Sequence, residues 1–226
     1  MDGAELTIAH EFLLLGHHPD TGTRLVNPLE LDCGAAGAIL AQLALAERIA
    51  LQGERVAVVK AAPLGDRFLD SVLAQLASRH TPRPATWWVN RLKGAGLRGR
   101  LLTDLVRRGA LRSERQSVFR VFSLTRYPAG DAAGRHVSER VRAVFDGTHP
   151  PDHRTVALFA ILDATRLDRK ILHDVPRHVR AQRVAAIAQG DAIGPVVRKV
   201  IRSVHAATAG AAAAAGAAGV AAGGAG

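Results

Sequence analysis

Two segments of the sequence share one order of elements, an amphipathic helix followed by a β-prone hairpin. Residues 101–111 repeat the apolar pattern of residues 39–49, and residues 118–122 parallel residues 56–60. Apolar side chains at helical spacing predict the helices, and β-prone strips on either side of a turn predict the hairpins. We therefore expect an internal quasi-repeat of helix plus wing, with chance similarity of two amphipathic segments as the alternative.

Beyond this repeat, segments with helical spacing dominate the chain. Aliphatic residues supply most of the 48% apolar content, whereas aromatic residues make up only 4%, which favours packed helix faces. Further helices are predicted at residues 7–15, 66–79, 85–93, 137–145, 154–164 and 179–189, with a last helix ending near residue 205. The predicted fold class is mainly α: a compact helical domain with small β-hairpins over residues 1–205, then an Ala/Gly-rich disordered tail over residues 206–226.

The charge balance points to phosphate-bearing partners. Thirty Lys and Arg stand against twenty Asp and Glu, which gives a formal net charge of +10, and only four of the thirty are Lys. Guanidinium groups suit bidentate contacts to phosphate, so nucleic acid and anionic membranes both qualify as partners. The alternative is the compositional bias of an Ala/Arg/Gly-rich genome, typical of a GC-rich bacterium.

The sequence shows no motif for catalysis, a metal or a cofactor. Cys33 is the single cysteine, so no internal disulfide is possible, and we expect it to be a buried apolar residue. His10 and Glu11 begin a zinc-protease pattern, but Leu14 stands where the second histidine is needed. We therefore predict a protein that is not an enzyme, with no metal and no cofactor.

The start of the chain and its apolar runs bear on location. The first residues lack the basic region of a signal peptide, and no run of apolar residues is expected to be long enough to span a bilayer. We therefore predict a cytoplasmic protein whose membrane contact, if it has any, is peripheral.

The middle of the chain is the most basic part. Residues 91–126 hold ten Arg and Lys against two acids, Asp104 and Glu114. A helix that begins near Leu97 would turn four apolar residues inward and four charged residues outward, namely Leu101, Leu102, Leu105 and Val106 against Arg100, Asp104, Arg107 and Arg108. Arg98 and Arg100 lie at its start, where free N–H groups also favour an anion. The alternative is a solvated basic face with no ligand.

Four segments in this order resemble the Golgi phosphoprotein 3 family. They are LTIAHEFLLLG at 6–16, GAILAQLALAERI at 37–49, RLLTDLVRRGAL at 100–111 and DHRTVALFAIL at 152–162. Each segment is degenerate alone, but together they cover about residues 5–205. The resemblance implies a mostly helical domain that sits on Golgi membranes in eukaryotes by holding the head group of phosphatidylinositol 4-phosphate.

The resemblance also implies site residues. In the family a tryptophan and several arginines hold the head group, and one of these arginines matches Arg98. The other family positions are occupied here by Ala95, Ala36 and either Asn27 or Val26. The candidate head-group residues are therefore Arg98 with Arg91, Lys93 and Arg100, the last three as replacement charge.

The family's apolar hairpin, implicated in membrane insertion or self-association, corresponds to residues 116–128. Its apolar members here are Val118, Phe119, Val121, Phe122, Leu124 and Tyr127. Beside Arg120 and Arg126, these side chains suit an interface between water and lipid. The alternative is burial in the domain core.

These observations predict a peripheral membrane protein that binds an anionic phospholipid or a phosphoinositide. It would act as an adaptor, with a protein client or a second copy of itself as further partners. The alternative is a winged-helix-like nucleic-acid-binding regulator, because a helix followed by a β-wing also builds that fold. Against it, the second-copy helix has Leu and Val where a recognition helix needs groups for base edges. A third hypothesis is a helical scaffold for a protein.

Overall fold

A computed structural model describes the backbone of residues 5–118, 122–188 and 194–222, and the side chains of these residues except 116–118, 122–124 and 210–222. The helices are α1 Ile8–Leu15, α2 Pro28–Leu45, α3 Arg67–Ala77, α4 Ala85–Gly94, α5 Leu97–Arg107, α6 Ala133–Asp146, α7 His153–Ala164, α8 Asp168–Ile171, α9 Arg177–Ala188 and α10 Pro195–Ala222. The strands are β1 Ile49–Gln52, β2 Arg55–Val58, β3 Arg83–Pro84, β4 Glu114–Val118 and β5 Phe122–Arg126. The predicted mainly α fold with small hairpins is confirmed.

Local sequence signals start the first two helices. The Thr7 side chain accepts a hydrogen bond from the His10 N–H, and the His10 side chain accepts one from the Thr7 N–H. Asn27 and Glu30 make the same reciprocal pair at the start of α2, where Pro28 occupies the first helical position. These capping boxes satisfy N–H groups that a helix start leaves unpaired.

The centre of the domain is α2, which packs against α1, α4, α7 and α10. Two glycines permit this crowding, because a Cβ atom at Gly34 would lie 2.2 Å from Cζ of Phe12 and one at Gly37 would lie 2.3 Å from Cγ2 of Val204. By length and mean hydropathy, α2 is apolar enough to cross a membrane, although Glu30 and Asp32 interrupt its apolar run. With 61% of it buried inside the domain, α2 resembles the core helix of a soluble protein.

The two hairpins follow the helices as the quasi-repeat predicts. β1 and β2 pair antiparallel directly after α2, and β4 and β5 pair antiparallel after α5. The short strand β3 adds to β2 and completes a three-stranded sheet in the order β1-β2-β3. The sequence indicated only a proline-marked break at β3, because two residues carry no strand periodicity.

The C-terminal helices complete the core. α10 packs along α2, α4 and α7, and its backbone stays helical to Ala222. It therefore runs through most of the segment 206–226, for which the sequence predicts a disordered tail. Alanine has the highest intrinsic helix propensity, which accounts for the continued helix.

Candidate anion-binding site

A buried carboxylate organises the arginines of α5. Asp104 has no solvent exposure, and its oxygens lie 2.6 Å from Arg67, 2.5 Å from Arg107 and 2.7 Å from Arg108. Burial raises the pKa of this carboxyl, but the hydrogen bond and charge of Arg108 with the charge of Arg67 outweigh it and hold the pKa below its ordinary value. The expected outward face of Asp104, Arg107 and Arg108 is therefore wrong for Asp104, which instead draws both arginines onto itself.

The same carboxylate faces a buried histidine. Nε2 of His10 lies 3.3 Å from Oδ2 of Asp104, and both side chains are fully buried. Because Nδ1 of His10 accepts the Thr7 N–H, the neutral ring carries its proton on Nε2, which faces Asp104. Burial lowers the pKa of His10 to about 4, although the charge of Asp104 acts in the opposite direction. This cluster joins α1, α3 and α5 and is structural in character.

The predicted head-group residues do not converge on one pocket. Arg98 makes a two-point contact with Asp32 of α2, at 2.7 Å from Nε to Oδ1 and 3.4 Å from Nη2 to Oδ2. Burial raises the pKa of Cys33, the residue that follows Asp32 in α2. The positive charge of Lys93 acts in the opposite direction and lowers that pKa. Arg98 therefore pairs with α2 directly, whereas Lys93 acts on this helix through its charge.

The other two candidates lie elsewhere. The Arg91 guanidinium sits 5.7 Å from the ring centroid of Trp87. Arg100 is exposed and lines a cleft between α3 and α5, together with Arg67. Of the four residues, Arg100 thus lines the α3–α5 cleft, whereas Arg98 pairs with Asp32 and Arg91 lies against Trp87.

Two arginines that sequence reasoning missed as site residues define a cavity at the base of the second hairpin. This hairpin-base cavity has a volume of about 310 Å³, and its polar lining comes from Thr23, Arg24, Asn27, Thr125 and Arg126. The buried Nε of Arg126 has no hydrogen-bond partner among the described residues. A buried guanidinium nitrogen without an acceptor is costly, and the Arg126 side chain lines this cavity, so it offers positive charge to an anion there.

The electrostatic environment of buried His17 includes Arg24 of this cavity and also Arg98. Burial is the main cause of the lowered pKa of the His17 ring, and the positive charges of Arg98 and Arg24 lower it further. Gly22 holds the Arg24 segment against the hairpin, since it adopts φ +64° and a Cβ there would lie 2.3 Å from the nitrogen of Pro128. The Tyr127 N–H also donates to the Gly22 carbonyl at 3.0 Å. Arg24, Arg98 and Arg126 thus come from three distant parts of the sequence.

A comparison with protein families decides the relationship. A family model described as Golgi phosphoprotein 3 (GPP34) matches residues 8–204. The chain belongs to the Golgi phosphoprotein 3 family. The matched region runs from the start of α1 into α10, so the family assignment covers almost the whole described domain.

Two of the positions at which this chain differs from the expected head-group residues lie in α2 or at its start. Ala36 is fully buried within α2, so an arginine side chain has no room there without rearrangement. Asn27, where the family tryptophan is expected, is exposed and caps α2 at the edge of the hairpin-base cavity. Arg24 and Arg126 thus bring positive charge to the cavity that Asn27 lines.

The sequence predicts an apolar membrane-insertion or self-association hairpin. Five of its predicted side chains lie outside the described residues, namely Val118, Phe119, Val121, Phe122 and Leu124. Tyr127 is described, and it is half-buried against the core, with its ring edge-on to His17 at a centroid distance of 5.6 Å. Tyr127 therefore lies at the base of the hairpin and packs on the domain.

Within the described part of the chain, no group of three His, Cys, Asp or Glu side chains is arranged to hold a metal ion.

Proposed function

We propose that this member of the Golgi phosphoprotein 3 family is a cytoplasmic, peripheral membrane protein that binds the head group of an anionic phospholipid. It would act by binding and not by catalysis. The observation that carries the proposal is the hairpin-base cavity, which Arg24 and Arg126 both line. A phosphoinositide or phosphatidylinositol head group offers the phosphate oxygens that these guanidinium groups would bind.

The cavity offers both charge and neutral donors to a phosphate. The hydroxyls of Thr23 and Thr125 line it, and neither Arg24 nor Arg126 has an ion pair within 4.0 Å among the described residues. A cation near a charged leaflet contributes about 1 kcal/mol to membrane binding. Lys93 and Arg98 would add long-range attraction, with the charge of Arg98 partly offset by Asp32.

The cavity also stands where a hairpin leaves the domain. Thr125 and Arg126 belong to the end of β5, so a head group bound here would place β4 and β5 close to the bilayer. An anionic surface would then engage the cavity and the hairpin together, which is the arrangement expected of an interfacial protein. A protein client or a second copy of the chain would be a further partner of the membrane-bound form.

The test is co-sedimentation of the full chain with vesicles of phosphatidylcholine alone or with added phosphatidylserine, phosphatidylinositol or phosphatidylinositol 4-phosphate. We expect binding to anionic vesicles only. Loss of two cations in the double variant Arg24→Gln/Arg126→Gln should weaken it about thirty-fold. The matched control is Arg177→Gln/Arg202→Gln, which removes two exposed arginines of α9 and α10.

Two results would contradict the proposal. One is equal weakening in the two double variants, which would mean that net charge alone attracts the protein. The other is indifference to all vesicles with a gel shift on duplex DNA, which would favour the nucleic-acid-binding regulator.

A further inference from the structure

A second cavity lies on the other side of residues 25–27 and is distinct from the head-group site. This α6 cleft, between the end of α1, α6 and α8, has a volume of about 440 Å³. Its apolar lining is formed by Leu14, Leu15, Leu25, Leu111, Tyr127 and Ile171. Apolar clefts of this size in globular domains are typical of small-molecule sites.

The cleft stays open because α6 turns small residues toward it. Gly134 and Ser138 are one helical turn apart and both line the cleft. A Cβ atom built at Gly134 would meet no other atom within 4 Å. A larger side chain at either position would fill space that the native sequence leaves empty.

A basic cavity adjoins the apolar cleft. A neighbouring cavity of about 470 Å³ shares Leu25 and Lys170 with the α6 cleft, and Arg166 and Arg169 complete its basic side. Glu30 is the one acidic residue that lines it. Arg166, Arg169 and Lys170 are exposed and make no ion pair within 4.0 Å among the described residues.

Arg166 adopts an unusual backbone conformation at this place. Its φ of +58° lies in the left-handed region, where a helix normally ends on glycine. Directly after α7, this conformation keeps a guanidinium group where the common glycine would provide none. The rim of the α6 cleft itself is mixed, with Arg135 beside Glu139, so net positive charge is concentrated in the adjoining basic cavity.

We propose that the joined cavities bind a single-chain anionic amphiphile, that is, one alkyl chain with a carboxylate or phosphate head. The chain lies in the α6 cleft, and the head group binds Arg166, Arg169 and Lys170. The volume of the cleft, at the lower end of the range for small-molecule pockets, favours one alkyl chain over two. This proposal does not depend on the head-group site, because no cation of that site lines either cavity.

The test measures binding of dodecanoate, dodecyl phosphate and dodecanol to the delipidated full chain, by calorimetry below their micellar concentrations. We expect the two anions to bind at least ten-fold more tightly than the neutral alcohol. Extending the anion from ten to twelve carbons should tighten binding by about ten-fold, because two more methylenes leave water. Dodecanoate supplied in buffer or in phosphatidylcholine vesicles distinguishes capture from solution from capture out of a bilayer.

Variants separate the cleft from the rest of the surface. Gly134→Leu should abolish binding, and Ser138→Leu provides a second blocking variant if the first does not fold. Gly99→Leu is the matched control, since Gly99 is also a helical glycine with open space around it. Arg169→Gln/Lys170→Gln should reduce the affinity for dodecanoate to that for dodecanol.

The proposal fails if the parent protein binds neither anion from buffer or from vesicles. It also fails if folded Gly134→Leu or Ser138→Leu binds dodecanoate as the parent does. Vesicle binding through Arg24 and Arg126 would be unaffected by either failure.

Discussion

The buried His10 predicts how the stability of the fold depends on pH. In the unfolded chain this ring takes up a proton below its ordinary pKa of 6.5, whereas in the folded protein it does so only below about 4. Between these values the unfolded state binds more protons, so the free energy of unfolding falls as the pH drops. His17, whose pKa burial also lowers, acts in the same direction.

The size of the effect follows from the two pKa values of His10. A difference of 2.5 between 6.5 and 4 corresponds to a full loss of about 3.4 kcal/mol. At pH 5 about 2 kcal/mol of this has been lost. The pKa of Asp104 is also lowered, but the stability that this carboxylate contributes is lost only at still lower pH, as the solution pH falls through its pKa in the folded protein. Asp104 therefore does not contribute to the change in stability between pH 8 and pH 5.

The variant His10→Gln isolates this term. Glutamine is a usual partner of threonine in a capping box, so it retains an acceptor for the Thr7 N–H without titrating. Urea unfolding of the parent and variant at pH 8 and pH 5 gives the loss of stability within each protein, and any constant destabilisation cancels. We expect the loss to be smaller by about 2 kcal/mol in the variant.

Exposed His178 supplies the control, since His178→Gln should leave the parent's pH dependence intact. An unchanged loss between pH 8 and pH 5 in His10→Gln would refute the reasoning, because it would mean that His10 is protonated in the folded protein.

Four further substitutions test the packing and the charges described above. Asp104→Asn should destabilise the protein by about 2–4 kcal/mol in urea unfolding, because it removes the negative charge that pairs with arginines of α3 and α5; an unchanged midpoint would contradict the buried cluster. Gly34→Ala should destabilise by about 1–3 kcal/mol through overpacking, whereas Gly99→Ala should stabilise by about 0.5–1 kcal/mol, and equal effects in thermal unfolding would contradict the packing. Asp32→Asn should strengthen binding to anionic vesicles by freeing Arg98, and weaker binding would assign the pair a structural role in the site.

The helices were predictable from the sequence because their signals are local. As expected, α1 begins directly after Thr7 and ends directly before Gly16, and α5 begins at Leu97. A helix end depends on hydrogen bonds to residues three or four positions away, so a short stretch of sequence contains the necessary information. The hairpins were predictable for the same reason.

The ion pairs were not predictable, because they join residues far apart in the sequence. Arg67 reaches Asp104 across 37 positions, and Arg98 reaches Asp32 across 66. Helical periodicity placed Asp104 beside arginines on one face, but it could not show that α3 would cover that face and bury the carboxylate. No local pattern marks Arg24 as a neighbour of Arg126 either.

Charge counting pointed to residues 91–126, whereas Arg24, Arg166 and Arg169 of the two proposed sites lie outside that stretch. A cation that a carboxylate of the protein already holds is less available to a ligand, and Asp104 holds Arg107 and Arg108 of α5. The arginines that line the two proposed sites without such a partner lie on either side of residues 25–27. Val26 and Asn27 line both the hairpin-base cavity and the basic cavity, so the two sites share a wall. Substitutions on opposite sides of that wall, at Arg24 or at Arg169, should consequently separate vesicle binding from amphiphile binding.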